Sequence, residues 1–168
     1  MKHQYVYANG RIILKPLELE DIEELRELRN RERHCFLSTQ IIEKDGQRKW
    51  YEAYLEKEGD IMFKVVKTTA PDEFIGTIAV YDIDVENKAA EFGRLVIDKE
   101  KAPEKGTGLD AVIAVCKFAF EKLKLNRISA VVLKDNERAL KVYLKAGFRI
   151  CGESDQAYNV EIRKEKIE

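Results

Sequence analysis

Asn136 and Tyr143 stand seven residues apart in Asn136–Phe148 (NERALKVYLKAGF). On a helix that spacing is about two turns, so the two side chains share a face, with the small Ala139 between them. A tyrosine there can give up a proton, and Ala139 leaves room for a ligand along the face. On the residues alone, Tyr143 can equally be a core tyrosine. Asn136 can be a helix N-cap ahead of Glu137, a role that Asp135 could also fill. Upstream, Glu104–Gly108 (EKGTG) places Gly106 and Gly108 just before an amphipathic run. Glycine lets the backbone approach a ligand closely, and a helix start offers unpaired N–H groups and a positive dipole end. Phosphate suits such a place, although a purely structural glycine turn also fits. Glu91 opens Glu91–Ile97 (EFGRLVI), where an apolar setting could raise its pKa into the range of a general base. It can also be a solvated strand-end acid. Arg94, a charge inside the same run, could pair with Glu91, meet an anionic substrate or extend to solvent.

These residues need elements to hold them. Apolar positions 109, 112, 113, 116, 120 and 123 predict a helix over Leu109–Lys124. Strands are expected at Glu91–Ile97 and Arg127–Leu133, and a short helix closed by Gly147 follows. Earlier, Arg11–Pro16 reads as a strand and Glu18–Asn30 as a helix. A second helix is expected over Asp45–Glu58, then strands at Ile61–Thr68 and Phe74–Tyr81 joined by Ala70-Pro71-Asp72. A hairpin, Arg149–Glu153 with Tyr158–Lys164, comes after Phe148, and Arg163–Glu168 reads as a frayed end. Gly93 is the expected site of a bulge in the central strand.

Two other phosphate motifs are set aside. Gly106–Ala111 fits GxGxxA, but a dinucleotide turn needs its glycines directly after a strand, and here residues 98–105 intervene. The GxxxxGK[ST] loop is absent.

The block 91–148 resembles the core of the GNAT acyltransferases, which use acetyl-coenzyme A. Pro103-Glu104-Lys105-Gly106-Thr107-Gly108 is similar to their [RQ]-x-x-G-x-[GA] loop, with Pro103 where Arg or Gln is usual. Asn136, Ala139, Tyr143, Gly147 and Phe148 match N-x-x-[AS]-x-x-x-[YF]-x-x-x-G-F in full. The N-terminal part is similar to the branch holding ribosomal-protein, polyamine and amino-sugar acetyltransferases. The resemblance implies an α/β (α+β) fold: a mixed, mostly antiparallel sheet of six or seven strands with about four flanking helices, as one domain over 1–168. It implies acetyl-CoA as co-substrate and an N-acetyltransferase acting on a primary amine by direct attack. Tyr143 would then be the general acid and Glu91 the base. The coenzyme would meet Leu95, Val96 and Ile97 through the main chain, Pro103, Glu104, Lys105, Gly106, Thr107 and Gly108 in the loop, and Asn136 and Tyr143 on the helix. A backbone N–H within Arg94–Val96 would receive the oxyanion. Phe36, Trp50, Tyr51 and Tyr81 are candidates for the acceptor pocket, although each reads first as a core or rim residue. Alternative readings are an amino-sugar nucleotide acetyltransferase and a non-catalytic acyl-CoA sensor.

Composition narrows the classes further. The 168 residues carry 45% hydrophobic and 36% charged side chains with a net charge of −1, the profile of a soluble globular chain. Neither nucleic acid nor an acidic membrane surface is the expected partner. A small-molecule or peptide amine is, and a homodimer stays open. Nothing reads as a signal peptide or membrane span, and Cys35, Cys116 and Cys151 show no pairing pattern, so a reducing cytoplasm is expected. With two histidines, His3 and His34, no metal site is expected, and no partner makes Cys35 a nucleophile.

Overall fold

The computed structural model describes residues 1–167. Eight strands form one sheet, in chain order β1 (Tyr7–Asn9), β2 (Ile12–Pro16), β3 (Ile61–Lys67), β4 (Gly76–Asp84), β5 (Ala89–Ile97), β6 (Arg127–Leu133), β7 (Arg149–Glu153) and β8 (Ala157–Arg163). Their order across the sheet is β1-β2-β3-β4-β5-β6-β8-β7. Every pairing is antiparallel except β5 with β6. Four α-helices flank it: α1 (Ile22–Arg31), α2 (Lys44–Glu56), α3 (Thr107–Glu121) and α4 (Glu137–Ala146).

The strand count exceeds the expected six or seven because β1 was not foreseen. It has three residues, too few for a period-2 pattern to declare itself, and it folds back on β2 through Gly10 at φ 59°. The tail differs too. Arg163 ends β8, and Lys164–Lys166 form a 3-10 turn whose Lys166 carbonyl lies close to Gly147, so the expected fraying does not hold there. Glu168 lies outside the described residues.

Alternating strand residues feed two cores. Phe63, Val65, Ile78, Val80 and Phe92 face α3 and α4, together with Phe118 and Tyr143. Met62, Ala79 and Val96 face α1 and α2, with Leu25, Leu28, Tyr51 and Tyr54. Phe92 and Val96 are four apart yet lie on opposite sides of the sheet. An unbroken strand would put them on one face. The reversal is produced by a bulge: Thr77 pairs with Val96 and Ala79 with Gly93, so one residue of β4 opposes two of β5.

The expectation that Gly93 supplies the bulge conformation is corrected. The left-handed residue is Arg94, at φ 53°. Arg94 is held there from both ends. Its carbonyl accepts from Thr77 Oγ1 at 2.9 Å, and its guanidinium donates to both carboxylate oxygens of buried Asp60 at 2.7 and 2.8 Å. Gly93 is needed for another reason. A Cβ at that position would stand 2.4 Å from the Tyr81 hydroxyl.

Candidate active site

β5 and β6 pair only at Ala89, Ala90 and Glu91, opposite Arg127, Ile128 and Ser129. Beyond Glu91 the strands part, and residues 92–97 have no strand partner on that side. The parting begins next to the bulge that β5 carries against β4, while β6 pairs with β8 over seven positions. The gap opens into a cavity of about 440 Å³. Its walls are Leu95, Val96 and Ile97 of β5, the loop residues Pro103–Gly108, and Asn136, Ala139 and Val142 from α4. Lys99, Lys105, Arg138 and Lys145 make its rim basic, with Glu32 and Glu104 as the acids.

The glycine loop leaves main-chain amides unpaired at the start of α3. Gly106 caps α3 at φ 91°, with no side chain capping the helix. The amides of residues 105–109 make no hydrogen bond to a carbonyl among the described residues; the first that does is Asp110, which donates to the Gly106 carbonyl. A Cβ on Gly108 would meet nothing within 4 Å, so space lies beside it. Several free amides at the positive end of a 15-residue helix suit a diphosphate. Thr107 faces inward instead and donates through Oγ1 to the Glu104 carbonyl, while the Glu104 carboxylate pairs with Lys67. The loop is braced by Asp98, a buried acid that sequence reasoning missed. Asp98 accepts from Arg31 and from the Glu100 amide, and its carbonyl accepts from Ala102. Its signal was an acid placed directly after a strand, as with Asp60 directly before one.

Asn136 is the N-cap of α4: its Oδ1 accepts from the Ala139 amide at 3.1 Å. The same side chain lines the cavity, so capping and ligand contact are compatible. Asp135 is not the cap.

Tyr143 lies one turn beyond Ala139 on the α4 face that meets β5. Its ring packs edge-on against Phe92, centroids 5.0 Å apart, and against Phe148. It is buried, yet its hydroxyl makes no hydrogen bond among the described residues and is not among the sealed unpartnered atoms. The hydroxyl therefore touches open space. Burial, then the neighbouring Tyr81, pushes its pKa up to about 12, so it stays protonated at neutral pH.

Glu91 is half-buried, and burial followed by Asp82 holds its pKa above the ordinary value. Its cross-strand neighbour is Tyr81, whose pKa burial and Glu91 raise to about 12. Glu91 does not pair with Arg94; Asp60 takes that cation. Neither Glu91 nor Tyr143 is in the wall of this cavity; Glu91 is the last β5 residue paired with β6, and Tyr143 packs on Phe92, the residue after it. Of the acceptor candidates, Phe36 lines the cavity. Tyr81 packs on Gly93, Trp50 stacks on Tyr54, and Tyr51 is a core residue. Glu32, His34 and Cys35 present ligand atoms within 4.8 Å of one another on the outer turn after α1. No helix among the described residues is long and apolar enough to cross a membrane.

Comparison with known proteins gives this geometry a context. The profile of a family described as "Acetyltransferase (GNAT) domain" matches residues 11–149. A "Probable N-acetyltransferase YjcK" of Bacillus subtilis is 34% identical over 146 residues, covering 82% of this chain and 80% of that one. Among solved structures, "Apo FdhC- a nucleotide-linked sugar GNAT" superposes with a TM-score of 0.86 at 20% identity, covering 98% of this chain and 93% of the other. A spermidine N-acetyltransferase from Vibrio cholerae in complex with CoA and spermine superposes at 0.81 and 22%, covering 94% and 98%. At these identities the two superpositions speak to the fold alone.

Proposed function

Because the chain belongs to the GNAT acetyltransferases, we propose that the gap between β5 and β6 receives the thioester arm of acetyl-CoA and that an amine attacks its carbonyl there directly. The observation that carries this reading is the join of an unpaired β5 edge to a row of free amides at residues 105–109 across one cavity. The diphosphate rests on those amides. The pantetheine arm adds to the open edge of β5 at Leu95–Ile97 as an extra strand would.

The chemistry follows from aminolysis of a thioester. The amine nitrogen bonds to the carbonyl carbon, the C–S bond breaks, the amine sheds a proton and the coenzyme leaves as a thiolate that takes one. Amines with pKa about 10 are mostly protonated at neutral pH, so a base is needed. Glu91 serves as that base, directly or through water, since its raised pKa makes it a better proton acceptor than an exposed carboxylate. Tyr143, protonated and facing open space, donates to the departing sulfur. One N–H within Arg94–Val96, at the bulge, receives the oxyanion. No acyl-enzyme is invoked: Cys116 is sealed in the core, and burial raises the thiol pKa of Cys35.

The test is an acetyl-CoA assay across polyamines, amino sugars and peptide N-termini, paired with thermal shifts. Acetyl-CoA should stabilise the protein and at least one amine should turn over. Stabilisation by NAD but not by acetyl-CoA would end the proposal. Tight coenzyme binding without turnover of any amine would make the chain a sensor.

A further inference from the structure

The face of the sheet carrying Tyr81 and Glu91 also carries two arginines in unlike circumstances. Arg94 is matched by the bidentate Asp60 and sits over the Tyr81 ring at 4.7 Å. Arg29, on α1, is matched by nothing. Its helix neighbours have partners: Arg26 takes Glu23, and Arg31 takes Asp98 and Glu100. Among the described residues Arg29 has neither an ion pair nor a hydrogen bond, and its Nε is sealed from solvent without a partner. Its two Nη nitrogens are not sealed, so the end of the fork meets open space. Its Cζ lies 4.2 Å over the ring of Phe36, and Phe36 is part of the cavity wall. Arg94 is near enough to oppose its charge, since burial and then Arg94 lower its pKa.

An unpaired, half-buried guanidinium beside a second cation costs stability, because its lost hydration is not replaced by a counter-charge. A counter-ion from the ligand would remove that cost. The acids on this side are already placed elsewhere. Asp60 is occupied by Arg94 and Lys57, while Glu91 and Asp82 cluster at Tyr81. The face is thus polarised, acidic where the amine is to be deprotonated and basic at Arg29. A polyamine would set a second ammonium against that basic end. A guanidinium fork instead suits the paired oxygens of a carboxylate or phosphate.

We propose that Arg29 anchors an anionic group of the acceptor, so that the acceptor is a small amine bearing a phosphate or carboxylate. This rests on the transferase reading above and names its substrate class. The test compares spermidine, a UDP-linked amino sugar and a free amino acid at saturating acetyl-CoA, in wild type, Arg29→Gln and Arg29→Lys. The anionic acceptor should be preferred. Arg29→Gln should raise its KM about ten- to hundred-fold with kcat and the KM for acetyl-CoA little changed, and Arg29→Lys should restore part of the loss. Which anionic acceptor shows the KM change tells phosphate from carboxylate. Spermidine as the best acceptor, unaffected by Arg29→Gln, would overturn the proposal. So would an equal loss with all acceptors accompanied by a lower Tm, which marks a structural arginine. If no amine is turned over, the transferase reading fails on its own, and calorimetric binding of the two anionic compounds decides for Arg29. Binding weakened by Arg29→Gln supports the anchor, and binding unchanged or undetected rejects it.

Discussion

Tyr143 and Glu91 carry opposite halves of the proposed proton traffic, and their environments differ accordingly. Tyr143 is among aromatic rings with a free hydroxyl, so it can donate but holds its proton otherwise. Tyr143→Phe keeps the ring and removes the donor. It should lower kcat about ten-fold, a modest loss because the thiolate of a thiol with pKa about 8.5 leaves tolerably unaided, and leave the KM for acetyl-CoA unchanged. An unaltered kcat would remove Tyr143 as the acid. For Glu91 the sign of the pH effect follows from its raised pKa. The folded protein binds this proton more tightly than the unfolded chain, so the ionised carboxylate weakens the fold. The penalty is absent below the ordinary value of 4.5 and grows as pH rises through the folded pKa. Glu91→Gln should therefore raise Tm at pH 7, lose that gain near pH 4, and flatten the acidic limb of the rate profile. Thermal melts and kcat/KM across that range check both.

At the scale of elements, the bulged β5 is the part on which the site turns. It exists because three independent contacts agree: Asp60 on the Arg94 fork, Thr77 on the Arg94 carbonyl, and Tyr81 in the space left by Gly93. Gly93→Ala would place a methyl 2.4 Å from the Tyr81 hydroxyl and 3.1 Å from its ring. We expect a loss of about 1–3 kcal/mol by overpacking, read from chemical denaturation, and a larger fall in activity because the ring sits beside Glu91. Adding Tyr81→Phe removes the closest atom and should recover part of the stability. If the single variant is as stable as wild type, Gly93 has no such packing role.

For the molecule as a whole, the sheet is continuous at β4–β5 and divided at β5–β6, with the cavity in the division. A coenzyme lying there would tie β5 to the start of α3. Hydrogen exchange should then show acetyl-CoA slowing the amides of residues 95–97 and 105–109, while Ala89–Glu91, already paired with β6, change little. Uniform slowing along β5 would argue against strand addition at the open edge.

Much of this was legible in the sequence. The spacing of Asn136 and Tyr143, the Gly106–Gly108 pair ahead of a helical period, and the apolar run of β5 are local patterns, because a helix repeat and a glycine turn are set by residues close in the chain. What the tertiary structure alone decided depends on residues far apart. Arg94 finds Asp60 across 34 positions, and Tyr81 sets the need for Gly93. The bulge reverses the faces of Phe92 and Val96, so strand alternation could not have assigned them. The unmatched charge of Arg29 is visible only once its neighbours have found other partners. A sequence shows which groups are present, whereas which of them remain free for a ligand is settled by three-dimensional packing.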